Sequence, residues 1–142
     1  MAATIETLVD AVAARLTAAS YSQDVTATKA LFPYALLEDV DALTVQVYGG
    51  PESWGKETRG AMYSRMLDVV VAVKAPCERT NAAIGGYLQL VEEIKKDLAT
   101  YQASSTHALG EILQSEPYSV QALLDTGLFL AQVTFRYRGF AI

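Results

Sequence analysis

Few side chains in this chain could do chemistry, and they are scattered. The single histidine, His107, follows Ser104-Ser105-Thr106, and the single cysteine, Cys77, follows Pro76. Nucleophilic catalysis needs a nucleophile, a base and an orienting group in mutual geometry. Adjacency along a loop supplies none of that, so His107 reads as an ordinary loop residue. Metal binding needs several clustered N, S or O ligands, and these two residues lie far apart in sequence. A thiol at a helix start can have a lowered pKa, but Cys77 reads first as a free structural cysteine. Asp39 with Asp41, and Glu92 with Glu93, could be drawn as carboxylate pairs. A solvated turn and a solvated helix face explain them more simply. Gly49-Gly50 and Gly85-Gly86 match neither the P-loop nor the dinucleotide fingerprint. The first pair reads as turn chemistry. The second would sit in a first helical turn or allow close packing. The expectation is no catalytic residue, no metal and no cofactor.

What remains is a surface for contact. Gly49 to Gly60 reads as a polar, glycine-bounded loop, longer than the usual connection of about 4 to 6 residues. It carries the only tryptophan, Trp54, among Glu52, Lys56, Glu57 and Arg59. Aromatic residues supply interface energy out of proportion to their number. Tyr63 and Arg65 follow at the start of a long strand. Arg136 and Arg138 fall on the outward side of the last strand. The candidate interface set is therefore Trp54, Lys56, Glu57, Arg59, Tyr63, Arg65, Arg136 and Arg138. Tyr63, Tyr87 and Tyr137 also lie on apolar stripes that read as core.

The elements that must position these residues can be read along 142 residues, the length of one domain. Residues 4 to 18 form an amphipathic helix with Ile5, Leu8, Val9, Val12 and Leu16 on one stripe and Thr4 as N-cap. Residues 20 to 29 read as loop. Residues 30 to 36 read as a short edge strand, because Pro33 lacks a ladder donor. Leu43, Val45 and Val47 alternate with polar neighbours in a second strand. With the loop and the strand 61–74 it forms a projecting β-hairpin. The second half of that long strand is apolar on both faces, which places it centrally in the sheet. A helix follows over about 79–99, with Ile84, Tyr87, Val91, Ile94 and Leu98 inward and a Glu92–Lys96 pair outside. Short strands are predicted near 108–113 and 118–124. Asp125-Thr126-Gly127 turns into a strong strand, 128–138, with Phe129, Ala131, Val133, Phe135 and Tyr137 facing the core. The fold class is α+β: a mostly antiparallel sheet of about four to five strands with two helices on one face.

Composition narrows the function classes. Net charge is −5 and pI about 4.8, with no basic patch to hold nucleic-acid phosphates. One cysteine allows no internal disulfide and fits a reducing compartment. The N-terminus has no signal-peptide pattern, and no run is long and apolar enough for a membrane span.

The order and length of these elements resemble a known family. The carrying features are the helix Ile5 to Leu16, Leu31-Phe32-Pro33-Tyr34 and Leu43-Thr44-Val45-Gln46-Val47-Tyr48. They continue with the strand Leu67 to Lys74, the helix through Val91-Glu92-Glu93-Ile94 and the closing strand Leu130 to Arg138. The chain resembles the tail-terminator proteins of long-tailed bacteriophages, also called tail-completion or neck proteins. The resemblance implies a virion protein assembled in the host cytoplasm. It implies a homohexameric ring that caps the tail tube, ends tail polymerisation and meets the head–tail connector or stopper. The tail sheath is a further partner, no membrane is involved, and DNA passes through without specific binding. It implies no enzymatic activity. The alternatives are a head-completion or stopper protein or another minor neck or tail component and, in another class, a small α+β enzyme.

Overall fold

A computed structural model describes residues 3–30, 40–56 and 63–141. The elements are α1 (Thr4–Ala18), β1 (Ala27–Lys29), β2 (Thr44–Lys56), β3 (Tyr63–Pro76), α2 (Asn81–Thr100), β4 (His107–Leu113), α3 (Val120–Thr126) and β5 (Leu128–Ala141). The described strands form one sheet in the order β1-β2-β3-β5-β4. Only the β1–β2 pairing is parallel. The fold is therefore α+β, with the doubly apolar strand β3 at the centre.

Both long helices cover one face. Leu8, Val9, Val12 and Leu16 of α1 and Leu90, Val91, Ile94 and Leu98 of α2 join a single core. The sheet contributes Val45, Val47, Leu67, Val69, Val71, Val73 and the alternate residues Phe129 to Tyr137 of β5. Asp97 ties the helices together. It accepts from Arg15 Nε at 3.0 Å, Arg15 Nη2 at 2.6 Å and the Tyr21 hydroxyl at 2.7 Å. The Arg15 bonds above all hold the Asp97 carboxyl below its usual pKa.

Two β-bulges cross the sheet at one level. Gly49 pairs with Val69 and Glu52 with Leu67, so β2 carries one residue more than β3 between those pairs. Leu109 pairs with Tyr137 and Glu111 with Arg136, leaving Gly110 extra in β4. A bulge reverses the alternation of its strand. In β2 the inward residues are therefore Val45 and Val47 before the bulge, then Glu52 and Trp54 after it. Asp68 and Arg136, directly paired on β3 and β5, lie at the level of both bulges. They divide a near half, ending at Pro76 and Leu128, from a far half, ending at Tyr63 and Ala141.

Several local expectations change. The stretch from Gly49 is no loop as far as Lys56: it continues β2, paired through Lys56↔Tyr63. Pro51, beyond the β1 pairing, costs the ladder little there. As far as Lys56 and Tyr63 the hairpin does not stand apart as two strands, because β3 stays paired with β5 to Tyr63↔Ala141; its tip lies outside the described residues. Residues 27–29, expected in a loop, form β1. Thr4 is the first helical residue, and Ala3 occupies the N-cap position without a side-chain bond. The stretch expected as strand 118–124 is mostly helix α3. Ser119 Oγ accepts from Ala122 N at 3.1 Å, and Gly127 (φ 70°) ends the helix in the left-handed region. His107 opens strand β4 and is buried, so it is no loop residue. The strand expected over 30–36 and its Leu31-Phe32-Pro33-Tyr34 lie mostly outside the described residues. Asp39, Glu57 and Arg59 lie outside them too.

Candidate interaction surface

Beyond the bulges, cross-strand register builds the inner face of the far half row by row. One row runs Trp54–Arg65–Gly139–His107, and the next Glu52–Leu67–Tyr137–Leu109. From Pro51 to Lys56 every β2 residue is exposed. Trp54 is 52% exposed in this stretch.

Trp54 is nonetheless held firmly. Its indole Nε1 donates to Glu52 Oε1 at 2.5 Å. Arg65 Nε donates to the same oxygen at 3.2 Å. The Arg65 guanidinium lies 4.5 Å from the Trp54 ring centroid, in cation–π range. Tyr63 meets the indole edge-on, with centroids 5.9 Å apart. One carboxylate thus fixes both the ring and the cation stacked on it. Such a side chain loses little freedom on docking, which lowers the cost of association.

Trp54, Tyr63 and Arg65 from the candidate set therefore come together. Lys56, paired with Tyr63, is exposed beside them. Arg136 and Arg138 do not join them and stand on the opposite sheet face. Arg136 Nε and Nη2 reach Asp68 Oδ1 and Oδ2 at 2.9 and 3.1 Å. Arg138 pairs with Glu111, which lies 3.8 Å from Arg136 Nη1. Their charges are matched within the chain, and Asp68 is only 4% exposed. The central part of that outer face covers itself as well. Gln132 Nε2 donates to the Tyr48 hydroxyl at 3.1 Å across β3, and Lys74 Nζ donates to Gln46 at 3.0 Å.

The residues weighed for catalysis are dispersed. Cys77 Sγ faces the Glu78 carbonyl oxygen at 3.3 Å, and burial, aided by Glu78, pushes its thiol pKa up. Glu93 accepts from Ser22, while Glu92 meets Lys96 on the wet face. Among the described residues no three His, Cys, Asp or Glu side chains converge as a metal site. No described helix is long and apolar enough to cross a membrane. The buried environment of His107 was not visible from sequence spacing. The only local hint was the hydroxyl run Ser104-Ser105-Thr106 before it.

No model of a known protein family matches the chain, and no curated protein matches it.

Proposed function

We propose that this protein works by contact, as a ring-forming virion component of the tail-terminator kind. In this reading copies of the chain close into a hexameric ring on the end of the tail tube. The ring stops tube growth and offers its other side to the head–tail connector or stopper, with the sheath as a further neighbour. The observation that carries the reading is the Glu52–Trp54–Arg65 cluster with Tyr63 against it. An exposed, pre-positioned Trp/Tyr/Arg group has the composition of an interface anchor. A ring requires a heterologous contact that closes by rotation, and an anchor at one end of an elongated sheet suits that geometry. The resemblance in element order supplies the specific assembly. The net charge of −5 suits a lumen that lets DNA slide, because like charges repel it.

Size-exclusion chromatography with light scattering tests this, on the chain alone and with tail-tube protein added. The expected result is a closed oligomer, or one that forms on the tube. A strict monomer under both conditions overturns the reading. Binding to the head connector but not to tail-tube protein would assign the chain to the stopper side of the same joint.

A further inference from the structure

At the β4 edge of the far half lies a cavity of about 380 Å3, within the range of clefts that enclose small organic molecules. Its walls include Ala99, Tyr101, Ala103, Ser105, Leu109 and Gly139, from the end of α2, the α2–β4 connection and the strands β4 and β5. Tyr101, Ala103 and Leu109 pack one side against the core yet stay only half-buried, so each keeps apolar surface to offer. Gly139 lets these walls close up, because a Cβ there would collide with the Thr106 carbonyl oxygen and the His107 ring.

Register sets this cavity against the Trp54 cluster. The row Trp54–Arg65–Gly139–His107 crosses the sheet from β2 to β4 on the face that carries the helices. Three strand spacings of about 4.8 Å separate its ends, roughly 14 Å. Anchor and cavity therefore share one face and one level but stand at opposite edges of the far half. The indole cannot reach across within its own chain, since β3 and β5 lie between and Glu52 and Arg65 hold it in place.

The chemistry of the two also matches. Trp54 Nε1 is already satisfied by Glu52, so a receiving site needs ring and methyl surface and no acceptor. The cavity supplies that surface with the Tyr101 ring and the side chains of Ala103 and Leu109. Lys56, exposed farther along β2 on the same face, brings a positive charge with the indole. The cavity lies at the C-terminal end of α2, which has no basic residue in its last turn. A helix C-terminus favours a cation, and another copy can provide it.

We propose, resting on the ring reading above, that this cavity is the socket for Trp54 of a second copy of the chain. The β2 edge of one protomer meets the β4 edge of the next. The indole enters against Tyr101 and Leu109, and Lys56 faces the end of α2. Every pair so joined still has one free anchor and one free socket, the heterologous kind of contact that a closed ring completes.

Trp54 is the only tryptophan, so its emission reports the contact in the full-length chain. As the oligomer is diluted, the emission should shift to the red and acrylamide should quench it more easily. Ala99→Phe fills the cavity from an exposed position of α2 and should weaken association about thirtyfold or more, the loss of a hot spot. If that variant does not fold, Ser105→Phe does the same from the exposed loop. Lys56→Glu should weaken association about fivefold, and Lys56→Arg should restore it. The deciding step is mixing. Trp54→Ala keeps its socket and Ala99→Phe keeps its anchor, so each alone should stay monomeric. Together they should form a one-to-one pair and go no further, read as mass by light scattering. Assembly untouched by both cavity-filling variants, or a mixture that stays monomeric, overturns the socket and leaves the ring reading standing. A wild-type chain that is strictly monomeric with and without tail-tube protein overturns the ring reading, and the socket with it.

Discussion

The near and far halves of the sheet share β2, β3, β4 and β5, yet their inner faces are made of different matter. In the near half the strands point Val45, Val47, Val71, Val73, Phe129 and Val133 at two helices. In the far half Leu67 and Tyr137 still join that core, but Glu52, Trp54 and Arg65 meet polar partners or solvent, and a histidine, His107, takes a buried place. The change happens at the Asp68–Arg136 level, where both bulges fall. The near half is a core that requires only volume and apolarity. The far half needs particular atoms: one carboxylate shared by Trp54 and Arg65, one glycine beneath His107. The lesson is that one sheet can carry stability at one end and recognition at the other, if the strand phase is reset between them.

The sharpest way to break this division is a pair of truncations. Phe135→Ala, in the buried stripe, should cost about 3–5 kcal/mol in urea unfolding. Trp54→Ala should cost less than about 1 kcal/mol, the scale of an exposed cation–π pair, while abolishing oligomer or tube binding. If Trp54→Ala costs as much as Phe135→Ala, the far half is core and the contrast fails.

Gly139→Ala comes next. The added methyl collides with the Thr106 carbonyl and the His107 ring, so a loss of about 1–3 kcal/mol is expected. Shifted His107 ring signals should accompany it, with near-half amide exchange left as it is.

The pH dependence sharpens the far half further. The folded-state pKa of His107 is lowered by burial first and Arg65 second, against an unfolded value near 6.5. Below about 6.5 the unfolded chain binds the proton that the folded chain resists. Stability from this residue is therefore full above that pH and declines as pH falls through the lower folded value. His107→Gln should remove this slope, as measured by urea unfolding at several pH values between about 5 and 7.5.

Gly85→Ala is the mildest test. Gly85 lies in the interior of α2, and among the described residues a Cβ there would meet nothing within 4 Å. Neither the first turn nor close packing explains this glycine. The substitution should raise stability by about 0.4–1 kcal/mol, seen as a higher urea midpoint with assembly unchanged.

Much of the near half was legible in the sequence because its signals are periodic and local. The alternation Phe129, Ala131, Val133, Phe135, Tyr137 located β5 and its inward face. The double-sided apolar run Val69 to Val73 identified the central strand. The misread elements had weak or contrary local signals. Gly49-Gly50-Pro51 looks like an exit from a strand, whereas here it is the extra length of a bulge. Tyr118 and Val120 have β propensity, and the Ser119 cap and Gly127 stop that overrule them are single residues. Three residues of β1 in a Ser/Thr-rich stretch carry no period at all. Of the candidate surface, Trp54 stood out by composition. Its partner Glu52 did not, because the stretch read as loop, where residues two apart share no face, and the burial of His107 did not, because it depends on the register of β4 against β5.

The bulge in β2 is a length of chain that the pairing does not need. Removing one residue between Gly49 and Glu52 would leave a regular ladder in which Glu52 still lies opposite Leu67 and Trp54 opposite Arg65. The indole would keep its side of the sheet, and what disappears is the bend that an extra residue gives a strand. A single-codon deletion there would thus spare the contacts of the cluster and change the angle at which this end of the protein is offered.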